Sequence, residues 1–366
     1  MKQNNHEVLL ATPGKSLLVS EAEKLDMEIA TFSLPALKET RYIKEGKNKF
    51  SILAALYDIL ALMSAGLSLF TLIRKSKPDI VYANQMLISI SSGIASTLAG
   101  TPSIWHIREN PSKHVPGFIK KIYGLLAFLF ADQIIVNSQY SANLFQDTLA
   151  REKVVVVPIG IQEDQASYSK KNRNNSSEIV IAVFGRVIPM KGHDVLIRSM
   201  EHLNNGDVSD IKLKLYGYFD PMDSYYLQLT SLIKKLGFGK KIEFCGYVTD
   251  ISLALNDSSI VVSPSTESES FGRTITEAMA AGRPVIASRI GAHPEIVQDG
   301  TTGILVEPND PQALGEALAK LIGDEELRGR MGRAGRERYL KAFTLEKYHQ
   351  NLFDVYTNLL EGAESL

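Results

Sequence analysis

At 366 residues the chain exceeds what one hydrophobic core usually organises, so two domains are expected. Hydrophobic residues at 45% and charged residues at 22% exclude a disordered, collagenous or coiled-coil chain. The 40 basic and 41 acidic residues exclude the basic footprint of bulk nucleic-acid binding, and the single Cys245 excludes intrachain disulfides, zinc ribbons and iron–sulfur clusters.

The opening Met1-Lys2-Gln3-Asn4-Asn5-His6-Glu7 is too polar for the apolar core of a signal peptide; the single cysteine fits a reduced cytoplasmic compartment and is compatible with others. Short β-rich runs then alternate with helical stretches, the pattern of parallel sheets built from βαβ units. Strands are expected at Val8–Ala11, Asp79–Ala83, Ser103–His106, Gln133–Asn137 and Val154–Val157. They resume at Ile179–Phe184, Ile211–Tyr216, Lys241–Cys245, Ile260–Ser263, Pro284–Ala287 and Ile304–Val306.

Phe50–Ile73 carries one charge, Asp58, and is long enough to span a bilayer. Its Ser51, Ser64, Gly66, Ser68 and Thr71, and its lead into Lys77-Pro78-Asp79 and a strand, favour a buried core helix. Gly117–Phe130 sets Lys120 and Lys121 among Ile119, Ile122, Tyr123, Leu125, Leu126 and Phe128. Such a helix can lie peripherally on an anionic membrane surface, the inner face for a cytoplasmic chain, and reads equally as a half-buried helix with two solvated lysines.

Gln165–Ser177 is almost devoid of apolar residues and reads as a linker. The expected domains are therefore 1–162, a linker at 163–177, 178–343, and a final segment 344–366. The helix expected in that segment, from Thr344 to about Leu360, has an apolar face of Leu345, Tyr348, Leu352, Val355, Tyr356 and Leu359. The fold class is α/β, with two Rossmann-like doubly wound domains facing a cleft, and ligands are expected at the carboxyl ends of the strands.

The richest segment runs from Ser265 through Glu269-Ser270-Phe271-Gly272 and Glu277 to Gly282-Arg283-Pro284-Val285. It reads strand, loop, helix, strand, with Gly272 opening the helix and Gly282 at the left-handed position after it. Glu269 falls just before the helix and Glu277 inside it. The helix N-terminus suits a phosphate, and the two carboxylates, which only accept hydrogen bonds, suit sugar hydroxyls. The pattern describes a sugar-phosphate site.

A second segment, Phe184-Gly185-Arg186-Val187-Ile188-Pro189-Met190-Lys191-Gly192-His193-Asp194, joins a strand to a helix that Asp194 is expected to cap. Arg186 as a planar fork and Lys191 as a point charge suit a diphosphate.

Together these segments, with Pro294-Glu295-Ile296-Val297 and Gly303-Ile304-Leu305-Val306 in order, resemble the retaining glycosyltransferases of the GT-B fold, family four. The resemblance covers essentially the whole chain and is strongest from Ile179 to Phe343. It implies that Arg186 and Lys191 hold the diphosphate of a UDP-sugar or GDP-sugar, and that Glu277 holds the ribose hydroxyls. It places Glu269 and the backbone of Ser270, Phe271 and Gly272 on the transferred sugar. His106 matches the family histidine that contacts the donor sugar near the reaction centre, and Asn137-Ser138 matches a family position after a strand. His193 and His293 read as loop residues.

The resemblance further implies a hexosyltransferase acting with retention of configuration on a glycan or lipid-linked acceptor, in cell-surface polysaccharide assembly. No Asp-x-Asp motif occurs, so neither a metal nor another cofactor is expected; cationic side chains and a helix N-terminus take the metal's part. A donor phosphate oxygen would take the acceptor proton, consistent with the lack of an obvious general base.

Two features depart from the family. Its opening strand and Gly-rich loop have no counterpart here, which implies an earlier start of the reading frame or an impaired first domain. Pro158-Ile159-Gly160-Ile161 lacks the usual Asn before its glycine. The alternative function is a catalytically silent nucleotide-sugar-binding or partner subunit; a GT-B epimerase is a third option.

Overall fold

The computed structural model describes residues 7–14, 17–35, 41–44, 47–50, 52–109, 117–163, 178–203 and 211–364. The expected linker at 165–177 and the polar start at 1–6 lie outside them. Contacts between residues divide the chain into two units. The first comprises Met1–Val136, Ala142–Val155 and Tyr356–Leu366; the second comprises Asn137–Ser141 and Val156–Val355.

The first unit opens with β1 (Leu9–Thr12), α1 (Leu17–Lys24) and β2 (Glu28–Thr31), whose strands pair in parallel from Leu9↔Glu28 to Thr12↔Thr31. An antiparallel hairpin follows, β3 (Arg41–Lys44) and β4 (Lys47–Phe50). Next come α2 (Ile52–Ser76), β5 (Val81–Ala83), α3 (Met86–Ala99), β6 (Ser103–Ile107), α4 (Gly117–Phe130), β7 (Gln133–Val136) and β8 (Val154–Val156); the short α5 (Gln139–Ala142) that precedes β8 in the chain has its first three residues in the second unit. Strands β5-β6-β7-β8 form one sheet in that order. Every residue of β6 is buried, as in a parallel sheet covered on both faces. Among the described residues, β1 and β2 form a separate sheet from β5–β8.

α2 is the run of bilayer length. It packs on α3, with Ala61, Ala65, Leu69 and Ile73 buried and Ser91 Oγ donating to the Leu62 carbonyl at 2.9 Å. Its opposite face leaves Leu60, Met63 and Leu67 exposed, so it is a half-buried helix rather than a fully buried one. Among the described residues, no helix is long and apolar enough to cross a membrane.

The second unit has six parallel strands: β9 (Ile179–Phe184), β10 (Ile211–Tyr216), β11 (Ile242–Gly246), β12 (Ile260–Ser263), β13 (Val285–Ser288) and β14 (Gly303–Val306). Their spatial order is β11-β10-β9-β12-β13-β14, the doubly wound order that reverses between β9 and β12. Alternation along each strand feeds two cores. Ile181, Val183, Leu213, Leu215 and Ile286 pack with α6 (His193–Ser199), α7 (Ser224–Leu236) and, after α8 (Ile251–Asp257), α9 (Arg273–Ala280) and α10 (His293–Ile296), with α11 (Pro311–Gly323). Ala182, Phe184, Val261, Val285 and Ala287 pack with α9 and with Tyr339 of α12 (Glu325–Ala342).

The last helix, α13 (Leu345–Glu364), begins where Ile161 exchanges backbone hydrogen bonds with Phe343 and Leu345 at 2.9 and 3.1 Å. From Tyr356 onward the chain groups with the first unit, where the Tyr356 ring sits edge-on to Tyr82.

Candidate active site

In a doubly wound sheet the ligand crevice lies beyond the carboxyl ends of the strands that flank the reversal. Here those strands are β9 and β12. The loop after β9 carries Gly185, Arg186 and Lys191; the loop after β12 carries Ser265, Glu269 and Gly272. The loops are laced together, Thr266 N–H to Met190 O at 2.9 Å and Thr266 Oγ1 to Pro189 O at 3.2 Å. Gly192, at φ +66°, permits the approach: a Cβ there would stand 1.9 Å from Pro264 O.

Lys191 Nζ lies 2.8 Å from Glu269 Oε1, and Ser265 Oγ donates to the same oxygen. Both charged side chains are largely buried. Burial alone would raise the Glu269 carboxyl; Lys191, Ser265 and His293 outweigh it and hold the group below the usual carboxylate range. Arg186 is exposed and makes no ion pair among the described residues. The site thus joins one committed cation–carboxylate pair to one solvent-facing guanidinium.

Gly272 precedes α9 with no side-chain cap. Glu277, one turn in, is buried and accepts from Arg273 Nε at 2.7 Å, while Arg273 reaches into solvent. Burial raises the Glu277 carboxyl, with Arg273 opposing. Ser270 is half-buried. The Phe271 ring turns into the core edge-on to Phe343, so only its backbone can serve a ligand. Gly282 has φ +67°, as its position after the helix requires.

Two further histidines belong to this region. His293 opens α10, wholly buried, with Nδ1 3.0 Å from Ser288 O and Nε2 3.8 Å from Glu269 Oε1. His193 opens α6, also wholly buried, and burial followed by the charge of Lys191 pushes it down to about 4. Both were expected in loops and instead begin helices. Asp194 does not cap α6: the helix follows Gly192, and the Asp194 carboxylate accepts from Tyr225 Oη at 2.7 Å.

His106 belongs to the first unit. It is buried near the end of β6, its Nδ1 hydrogen-bonded to Tyr82 Oη. Asn110 and Pro111 lie outside the described residues.

The structure brings Lys191, Glu269 and the start of α9 together. It adds Ser265 and His293, which residue type and position alone did not mark, and Ser138 and Glu295, known only as family positions. Ser265 precedes Glu269 by four residues in the same loop, and that nearness is the one local signal that could have marked it. Among the described residues, no three His, Cys, Asp or Glu side chains gather into a group that could hold a metal ion.

Residues 164–338 match the family Glycosyl transferases group 1, and residues 1–165 match Glycosyltransferase Family 4. An uncharacterized glycosyltransferase of Methanocaldococcus jannaschii is 32% identical over 232 residues, 63% of this chain and 60% of that relative. The chain thus spans less than two thirds of the archaeal protein's length. The capsular polysaccharide biosynthesis glycosyltransferase CapM of Staphylococcus aureus is 27% identical over 318 residues, 81% of each chain. Among solved structures, Anabaena HepE in complex with UDP aligns with a TM-score of 0.81 at 22% identity, over 96% of this chain and 92% of that one. A glycosyltransferase from Rickettsia africae aligns with a TM-score of 0.82 at 22% identity, over 98% and 92%. At that identity the likeness is one of fold.

Proposed function

The chain belongs to the GT-B glycosyltransferases, and from that premise we propose that it transfers a hexose from a nucleotide-diphosphate sugar to a glycan or lipid-linked acceptor. Transfer proceeds with retention of configuration and without a metal ion, in assembly of a cell-surface polysaccharide. The carrying observation is the meeting of Lys191 and Glu269 where the strand order reverses. A cation for the diphosphate and an acceptor-only group for sugar hydroxyls are side by side there.

Arg186 and Lys191 bind the diphosphate, Glu277 the ribose, and Glu269 with the 270–272 backbone the transferred sugar; His106 is assigned to the same sugar. The donor phosphate, held by cations, leaves and takes the acceptor proton on the face it vacates. HepE was solved with UDP and with UDP-glucose, which makes a uridine donor the first to test.

A thermal-shift panel of UDP-, GDP- and ADP-sugars identifies the donor, since only a binder raises the melting point. Turnover is then compared with Glu269→Ala and Arg186→Ala. Loss in both is expected; unchanged turnover in both overturns the assignment, and binding without turnover in the unaltered chain favours the silent-subunit alternative.

Contact with an anionic membrane surface is part of the proposal. α4 has Lys120 and Lys121 and no acid, and it exposes Phe118, Ile122, Leu125 and Leu129 while burying Tyr123, Gly124 and Ala127. Cosedimentation with phosphatidylglycerol vesicles should be lost in Ile122→Glu/Leu125→Glu; failure of the unaltered protein to sediment sinks this element.

A further inference from the structure

Two consecutive carbonyls in the 269–272 loop are anchored. Glu269 O accepts from Ala292 N–H at 3.0 Å. Ser270 O accepts from Ser138 Oγ at 2.7 Å and faces Ser141 Oγ at 3.4 Å. A trans peptide is planar, with C=O and the next N–H pointing opposite ways. Holding these two carbonyls therefore aims the N–H groups of Ser270 and Phe271 away from the anchors.

The Ser138 anchor is itself fixed. Glu295 spreads its carboxylate over two N–H groups of the same segment, Gln139 at 2.7 Å and Tyr140 at 2.6 Å. Ser141 N–H donates to Ser138 Oγ at 3.1 Å, and of the two acceptors facing the Ser138 hydroxyl, Ser270 O at 2.7 Å is nearer than Ser141 Oγ at 3.2 Å. Arg338 holds the backbone of the same residues, donating to Glu295 O and Ile296 O at 2.6 Å each. Ser138 and Ser141 are buried, and the whole set lies within the second unit.

We propose that Ser138, backed by Glu295, is a positioning residue that holds the Ser270–Phe271 peptide in the orientation that presents its N–H to the donor. The inference rests on the sugar-binding role of the 270–272 backbone. Preorganised backbone donors stabilise developing charge only while their direction is fixed. Ser138 supplies that fixation from a segment 132 residues upstream.

The test compares Ser138→Ala, Ser138→Ala/Ser141→Ala and Ser138→Thr using UDP, UDP-glucose and amide exchange. For the alanine variants we expect a UDP Kd within about twofold, because Arg186 and Lys191 are untouched, but kcat/KM with UDP-glucose at least about tenfold lower. Thr, which keeps the hydroxyl, should restore most of it. Amide exchange across 269–272 should quicken in Ser138→Ala even if UDP-glucose is not turned over. Unchanged kcat/KM and exchange overturn the proposal. So does parallel loss of UDP affinity, melting temperature and turnover that Thr does not restore. Glu269→Ala runs alongside: full turnover there fails the site reading, whereas its loss with Ser138→Ala unaffected fails this inference alone.

Discussion

Lys191 and Glu269, 78 residues apart in sequence, form an ion pair of 2.8 Å at the point where the strand order of the second unit's parallel sheet reverses. Each is assigned a different part of one ligand. In the free protein each group shields the other's charge, and a donor offering phosphate to the lysine and hydroxyls to the carboxylate replaces one pair with two charge-assisted contacts.

Lys191→Met should therefore act twice. UDP affinity should fall by about tenfold or more, since a hydrogen bond to a charged group contributes roughly 1.5–3 kcal/mol. The acid limb of turnover should also move up in pH. Glu269 is depressed in the folded protein, so its contribution to stability is present above its unfolded value and lost as pH falls through the folded one. Removing the lysine lets burial raise the carboxyl, and protonation then sets in at higher pH. Calorimetry with UDP and a pH–rate profile check both; an unmoved acid limb would show that Lys191 does not govern Glu269.

The strands of the second unit were legible because Ile179–Phe184, Ile211–Tyr216 and Ile260–Ser263 are unbroken apolar or alternating runs bounded by turn residues, and all three match residue for residue. β2, β3 and β4 were not foreseen, since Glu28–Thr31, Arg41–Lys44 and Lys47–Phe50 lack such a run. The candidate site was legible as residue types on the right loops. Its wiring was not: Lys191 reaches Glu269, and Ser138 reaches Ser270, from segments far away in sequence, and the burial of His193 and His293 is a tertiary outcome. Asp194 failed as a cap because Tyr225, on another helix, competes for its carboxylate.

Glu277 is shifted in the opposite direction. Its carboxyl is raised by burial, with Arg273 as the counterweight, so it takes up a proton at a higher pH than an exposed glutamate. A protonated carboxyl offers fewer acceptor sites to ribose hydroxyls. Donor affinity is expected to weaken as pH falls, from a higher pH than an exposed glutamate would set. In Arg273→Ala the onset should move to still higher pH, because the opposing charge is gone. For stability, the ionised form is disfavoured in the fold, so this group's cost appears as pH rises above the unfolded value. UDP titrations at several pH values, repeated in Arg273→Ala and Glu277→Gln, check it; an equal pH dependence in all three proteins removes Glu277 from the nucleotide.

Gly192 and Gly300 separate backbone strain from collision. Both have positive φ, +66° and +74°. A Cβ on Gly300 meets open space, whereas on Gly192 it lands 1.9 Å from Pro264 O. Gly300→Ala should cost about 1 kcal/mol, the left-handed penalty alone. Gly192→Ala should cost about 3 kcal/mol and displace Lys191 with its loop, as overpacking adds to that penalty. Denaturant midpoints measure the difference, and equal losses would mean the two loops can part without penalty.

The Tyr82 hydroxyl meets Nδ1 of His106, and its ring stands edge-on to Tyr356 at 5.8 Å. With the Tyr82 phenol donating to the Nδ1 lone pair, the ring hydrogen of a neutral His106 resides on Nε2. That tautomer makes Nε2 a donor, the form that suits a sugar or phosphate oxygen. Tyr82→Phe keeps the aromatic packing and removes only the hydroxyl. The expected result is a severalfold fall in kcat with donor KM and melting temperature little changed, and an imidazole nitrogen NMR signature that shifts from one tautomer to a mixture. A tautomer unaltered by the substitution would show that something other than Tyr82 orients His106.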